Sequence, residues 1–296
     1  LLQEGKREEQ MDRRMEKKME KKIGFIGCGN MGSAMIGGMT GAGRTGEEKA
    51  SAMVPADQVM ASCASETSAR EKAGALGIEV TTDNRKVAEF ADILFLAVKP
   101  NLFESVIPQI AEAVTEDMCV VSIAAGQTIA AIEKLFGKKI HLVRAMPNTP
   151  ALVGEAMSAL SQNDAVTEEE LAEVKALFES FGKAEIVSER LMDAVIGVSG
   201  SSPAYVYLFI EAMADAAVAD GMPRAQAYKF AAQSVLGAAK MVLATGQHPG
   251  ELKDAVCSPG GTTIEGVAAL EEAGLRRAVI AGQRACVKKS KEMSEQ

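Results

Sequence analysis

Between Lys21 and Gly38 the sequence reads KKIGFIGCGNMGSAMIGG, an apolar run of strand length leading straight into glycines spaced G-x-G-x-x-G. Ile23, Phe25 and Ile26 suit a strand covered on both faces. Gly27 permits a tight turn, Gly29 lets a ligand's pyrophosphate approach the backbone, and Gly32 lets the following helix pack close to the strand. The N-terminus of that helix offers free N–H groups and a partial positive charge to phosphates. The same spacing occurs in ordinary turns. Here a strand precedes it, a helix follows it, and further strands and helices alternate behind it, which points to a bound dinucleotide.

The alternation continues for about 160 residues. After a long polar connection, 41–57, a second strand falls near Gln58–Ser62, and the positions after it read Ala61, Ser62, Cys63, Ala64 and Ser65. An acid at the end of this strand commonly binds the ribose hydroxyls. Its absence favours NADPH over NADH, with the Ser62 hydroxyl and nearby N–H groups accepting a 2′-phosphate. Glu79–Thr81 is a short third strand, with Asn84 opening a helix. Ile93–Val98 reads as a central parallel strand, and Lys99 at its carboxyl end is either a ligand contact or a charged strand terminus. Met118–Ile123 repeats the pattern and ends in the small residues Ala124, Ala125 and Gly126. A helix at 129–136, strands at 141–146, 156–160 and 184–187, and a helix at 168–181 opened by a Thr167/Glu170 capping box complete this part. From Ser188 the strands stop.

The expected fold is therefore α/β: a charged tail at 1–22, a Rossmann-type parallel-sheet domain at 23–187, and an all-helical domain at 188–296. Pro203–Ala219 is apolar around most of its circumference. A helical segment this short and apolar is expected to complete its core against a second copy, as an intertwined homodimer or an oligomer of dimers.

The net charge of −8 argues against nucleic acid or an anionic membrane as a partner. The five cysteines at 28, 63, 119, 257 and 286 include no C-x-x-C pair and no adjoining histidines, so no disulfide and no metal site are expected. No uncharged apolar run reaches membrane-spanning length. A soluble, cytoplasmic protein is the reading.

Two further stretches, Ser199–Pro203 and His248–Ile264, are too rich in Gly, Ser and Pro for helix interiors, and resemble helix N-termini set up to hold an anion. Ser258, Gly260, Gly261, Thr262 and Thr263 would offer N–H groups and hydroxyls to a carboxylate, or would simply form an N-cap after a turn. Taken together, GFIGCGNMG, LFLAVKP, MPNTP, SGSSPAY and HPGELKDAVCSPGGTTI resemble pyrroline-5-carboxylate reductase. The resemblance covers residues 23 to about 290, and the last motif is the most specific. It implies reduction of L-1-pyrroline-5-carboxylate to L-proline by NADPH or NADH. It places cofactor contacts on Ile26, Gly27, Cys28, Gly29, Asn30 and Met31, with Gly32 from the glycine spacing. The remaining cofactor contacts fall on Ser62, Asn84, Ala97, Val98, Lys99, Pro100, Ile123, Ala124 and Ala125. Substrate contacts fall on Thr262 and Thr263, with Ser258 and Gly261 in the same loop and Glu189 at the start of the helical domain. Three positions depart from the family pattern: Ser202 and Cys257 stand where glycine and serine are common, and Ala255 stands where an asparagine is frequent.

A protonated imine is already electrophilic, so its reduction needs orientation over a nicotinamide more than a strong base. Backbone N–H groups at Gly261–Thr263 would bind the substrate carboxylate, and the catalytic candidate Thr263 would orient the ring nitrogen. A hydroxyacid dehydrogenase of similar plan is the rival enzyme, though no lysine lies in Gly197–Leu208 to serve as its acid/base. A non-catalytic NADP-binding regulator would have no use for the Ser258–Thr263 loop.

Overall fold

The computed structural model describes residues 20–42 and 52–294. All but the end of the charged tail and the middle of the 41–57 connection lie outside the described residues. The chain divides into two compact units, one running to Gly200 and resuming at Val287, the other spanning Ser201–Cys286.

The first unit is built on one eight-stranded sheet: β1 (Ile23–Ile26), β2 (Val59–Ser62), β3 (Glu79–Thr81), β4 (Ile93–Leu96), β5 (Cys119–Ser122), β6 (His141–Met146), β7 (Ala156–Gln162) and β8 (Gly182–Ile186). The spatial order is β3-β2-β1-β4-β5-β6-β7-β8. Every neighbouring pair is parallel except β6 and β7. The sheet is parallel but for that pair. Residues 147–155 are too few for a parallel crossover, which needs about a dozen or more, and their Pro147-Asn148-Thr149-Pro150 turn leads directly back.

β1, β2, β4 and β5 are buried along their whole length, which explains why they read as continuous apolar runs. Helices α1 (Asn30–Thr40), α2 (Glu66–Leu76), α3 (Asn84–Phe90), α4 (Phe103–Ile110), α5 (Ile129–Phe136) and α6 (Glu168–Glu179) belong to this unit. One core joins Phe25 and Phe95 to Met35, Ile36 and Phe178, and the other joins Leu94 and Leu96 to Phe103, Ile107 and Ile132. Phe25 and Phe95 stack with ring centroids 4.5 Å apart. Side chains cap several of these helices: Ser65 opens α2, Asp83 α3, Thr128 α5, and the Thr167/Glu170 box α6. A short helix, α7 (Met192–Val195), ends the unit's main run in a π-turn at Ile196–Gly200.

The second unit holds α8 (Ser202–Ala219), α9 (Arg224–Thr245), α10 (Pro249–Val256), α11 (Thr262–Glu272) and the greater part of α12 (Leu275–Ser294). The Gly/Pro-rich stretch after His248 is more helical than its composition suggests. Pro249 occupies the first turn of α10, where its missing N–H costs nothing, and the His248 ring accepts the Gly250 N–H at 3.1 Å. The buried apolar side chains of this unit are the small ones of Ala214, Ala227 and Ala231, while Leu208, Phe230 and Leu243 are 65–84 % exposed. Among the described residues no helix is long and apolar enough to cross a membrane.

Candidate active site

Hydrogen bonding continues past the strand ends: the Ala97 N–H donates to the Ile26 carbonyl at 2.9 Å, and the Ile123 N–H to the Leu96 carbonyl at 3.2 Å. Gly27, Ala97–Val98 and Ile123–Ala125 therefore form one rim at the carboxyl edge of the sheet, where the strand order turns from β1 to β4. In open α/β sheets that is the ligand crevice.

The three glycines of the turn have separable roles. Gly27 has φ +99°, and a Cβ there would lie 2.8 Å from Val98 Cγ1 and 3.0 Å from the Ala97 backbone. A Cβ on Gly32 would sit 2.6 Å from the Gly27 carbonyl oxygen. A Cβ on Gly29 would meet no atom within 4 Å. The protein's own packing thus requires Gly27 and Gly32, whereas Gly29 keeps open a space that only something outside the fold would fill. Gly29 is the N-cap of α1, no side chain caps it, and the first turn carries no acid. An anion meets open N–H groups there, so these residues fit a dinucleotide pyrophosphate.

Ser62 is 2 % exposed. Its oxygen accepts the Gly27 N–H at 3.2 Å, and its hydroxyl donates to Asn84 Oδ1 at 2.7 Å. Asn84 Nδ2 donates in turn to Gln109 Oε1 at 2.9 Å. The hydroxyl read from sequence as a partner for a 2′-phosphate is thus engaged in bracing the glycine turn. Lys99 is exposed beyond β4 and, among the described residues, has no ion-pair partner. Pro100 follows it in a short 3₁₀ turn.

Glu189 belongs to the same unit as this rim. Its Oε1 accepts two hydrogen bonds, from the Ile129 N–H at the start of α5 (2.8 Å) and from Arg144 Nη1 (2.9 Å). Arg144 projects from β6 and is almost fully buried. Nearby, Asn148 of the MPNTP turn accepts the Met157 N–H at 2.9 Å and donates to the Ser199 carbonyl at 3.0 Å. It thereby fastens the β6–β7 turn to the π-turn, an irregularity common at functional sites.

In the second unit, Gly261 is the N-cap of α11, which starts at Thr262, and no side chain caps it. The Gly261 N–H bonds the Ser258 carbonyl at 3.0 Å, and Gly260 has φ +66°. A Cβ on Gly261 would collide with the Ser258 hydroxyl. The turn leaves the first N–H groups of α11 without a side-chain cap, with Thr262 and Thr263 in its first turn, an arrangement suited to a carboxylate.

Residues 189–293 match the family model described as pyrroline-5-carboxylate reductase dimerisation. Residues 22–126 match the model of NADP oxidoreductase, coenzyme F420-dependent. Over 274 residues the chain is 50 % identical to the pyrroline-5-carboxylate reductase of Escherichia coli K12, an alignment covering 93 % of this chain and 98 % of the relative. This chain belongs to the pyrroline-5-carboxylate reductase family. The Methanosarcina acetivorans enzyme is 44 % identical, with the same two coverages. The crystal structure of Plasmodium falciparum pyrroline carboxylate reductase with NADP bound matches with a TM-score of 0.83 at 31 % identity, covering 94 % of this chain and 100 % of that one.

Within this family frame, the sequence-derived cofactor candidates Ile26–Met31, Ser62, Asn84, Ala97–Pro100 and Ile123–Ala125 all belong to the first unit, as does Glu189. Ser258, Gly261, Thr262 and Thr263 belong to the second. Arg144 was missed. Its signal was there to read, a lone charge inside the apolar strand HLVRAM, where an unpaired cation would be costly. Among the described residues no disulfide joins the cysteines. Burial pushes the Cys119 thiol up to about 12, and burial followed by the neighbouring Cys28 raises that of Cys63, which disfavours the thiolate at both.

Proposed function

We infer that this chain reduces L-1-pyrroline-5-carboxylate to L-proline with NAD(P)H, the last step of proline formation. The observation that carries this is the presence in one chain of two glycine-capped helix N-termini left open by the protein's own side chains, at Gly29 and at Gly261. The first suits a pyrophosphate and the second a carboxylate.

The cofactor is held at Ile26–Gly32 and along the rim formed by Ala97–Pro100 and Ile123–Ala125, with Ser62 and Asn84 bracing the turn. It supplies the hydride. The N–H groups of Gly261–Thr263 bind the substrate carboxylate, and Ser258 shapes that turn. The protonated imine N–H donates to the Thr263 hydroxyl oxygen, which fixes the ring's orientation, and the Glu189 carboxylate stabilises the cationic ring. Addition of the hydride to the imine carbon moves the π electrons onto nitrogen, giving the neutral secondary amine. No side chain has to remove a proton, consistent with a chain holding two histidines in all.

The active form in this proposal is a homodimer, or an assembly of dimers, working in a reducing compartment such as the cytoplasm. The domain division proposed is the dinucleotide-binding part at 23–187 and the helical part at 188–296. Steady-state assays of cofactor consumption test the reading, with the imine set against a panel of hydroxyacids. Turnover with the imine alone is expected. Turnover confined to a hydroxyacid would establish the rival dehydrogenase, and none with any substrate would favour the regulator.

A further inference from the structure

Arg144 is a cation on a central strand, 3 % exposed. Its Nη1 bonds Glu189 Oε1 at 2.9 Å, while its Nε is buried without a hydrogen-bond partner. As a stabilising device this is a poor arrangement. A buried ion pair commonly does no better than apolar side chains of similar size, and an unsatisfied buried donor makes it worse. The pair does fix a carboxylate. Both donors reaching Glu189, from Arg144 and from the Ile129 N–H, converge on Oε1. Among the described residues Oε2 has no partner, and the side chain is about one-third exposed. Ile129 opens the helix that follows the Ile123–Ala125 rim, so the anchored carboxylate stands beside the cofactor edge of the same unit.

We propose that Arg144 is a positioning residue for the reduction: by holding one oxygen of Glu189, it keeps the carboxylate turned so that the other oxygen meets the cationic ring of the imine. This rests on the functional reading above. It adds a residue that touches neither substrate nor cofactor. Its removal should act on the imine and leave the nicotinamide cofactor alone.

The test compares wild type, Arg144→Met, Arg144→Lys, Glu189→Gln and the double variant Arg144→Met/Glu189→Gln. Each is assayed for KM of the imine, KM of NADPH and kcat, with thermal midpoints recorded alongside. Arg144→Met should raise the imine KM about ten-fold, the loss of one charge-assisted contact, with the NADPH KM within two-fold of wild type. Arg144→Lys, which keeps the charge but not the planar fork, should recover part of this. The double variant should be little worse than Glu189→Gln, because the two residues act as one. A lowered midpoint with both KM values unchanged would overturn the proposal, as would equal rises in both KM values or fully additive effects in the double variant. Should Arg144→Met fail to fold, Arg144→Lys decides: a raised imine KM with unchanged NADPH KM supports the role, and an unchanged imine KM removes it. Failure of the wild type to reduce the imine would instead defeat the functional reading.

Discussion

At the scale of single residues, the glycine turn separates folding from binding. Gly27→Ala forces a side chain into positive φ against Val98 and Ala97. It should cost on the order of 1–3 kcal/mol of stability, seen as a lowered denaturant midpoint. Gly29→Ala meets no neighbour and its backbone is extended, with φ −74° and ψ −165°. Its midpoint should stay within about 0.5 kcal/mol of wild type, while the NADPH Kd rises at least roughly ten-fold, about 1.4 kcal/mol. Unchanged NADPH binding in Gly29→Ala, measured by fluorescence titration, would remove the pyrophosphate from that site. Thr263→Ala should lower kcat/KM for the imine about ten-fold, the scale of one hydrogen bond near 1.4 kcal/mol, and leave the NADPH Kd unaltered. An unaltered kcat/KM would take the orienting role from Thr263. The packing demands on Gly27 and Gly32 were legible in the sequence because each follows from a missing side chain. The engagement of Ser62 with Asn84 was not, since a pair 22 positions apart is set by the β2–β3 pairing, which puts Ser62 opposite Thr81, and by the placement of α3.

At the scale of elements, caps were legible because their bonds are local. The Thr167/Glu170 box was read from spacing and is present, with one addition that the spacing could not disclose: Glu170 also receives His141 from β6, at 2.8 Å. Burial pushes the Glu170 carboxyl up, but the Thr167 N–H, His141 and the Thr167 hydroxyl together outweigh it and hold the group below its ordinary 4.5. The carboxyl therefore binds a proton less readily in the folded than in the unfolded chain. Its contribution is complete above pH 4.5 and is lost as the pH falls through the lower folded value. Glu170→Gln should cost about 1 kcal/mol at neutral pH and flatten the fall in urea midpoint below pH 4.5. An acid limb as steep as that of wild type would assign the pH dependence elsewhere. The direction of β7 escaped the sequence reading, because strand periodicity carries no sign and only the shortness of 147–155 excludes a parallel return. The helix after His248 escaped it for a related reason. Pro and Gly were taken as breakers, yet both are tolerated in a first turn.

At the scale of the whole molecule, the apolar character of residues 201–286 was legible, and among the described residues nothing buries the largest of these side chains. Leu243 is 84 % exposed, Leu208 68 % and Phe230 65 %, and surfaces of this kind mark protein contacts. Light scattering should report a dimer or a multiple of it, with a thermal midpoint that rises with protein concentration. Phe230→Asp should shift the species toward monomer and lower the midpoint. A monomeric wild type at assay concentration would contradict the dimer. The central claim concerns where the hydride goes, and the most direct measurement follows it. NADPH deuterated at the transferring position is turned over with L-1-pyrroline-5-carboxylate, and the product is read by NMR. L-proline should carry one deuterium on the ring carbon that was doubly bonded to nitrogen. Cofactor oxidised without label in proline, or no oxidation with the imine at all, would contradict it.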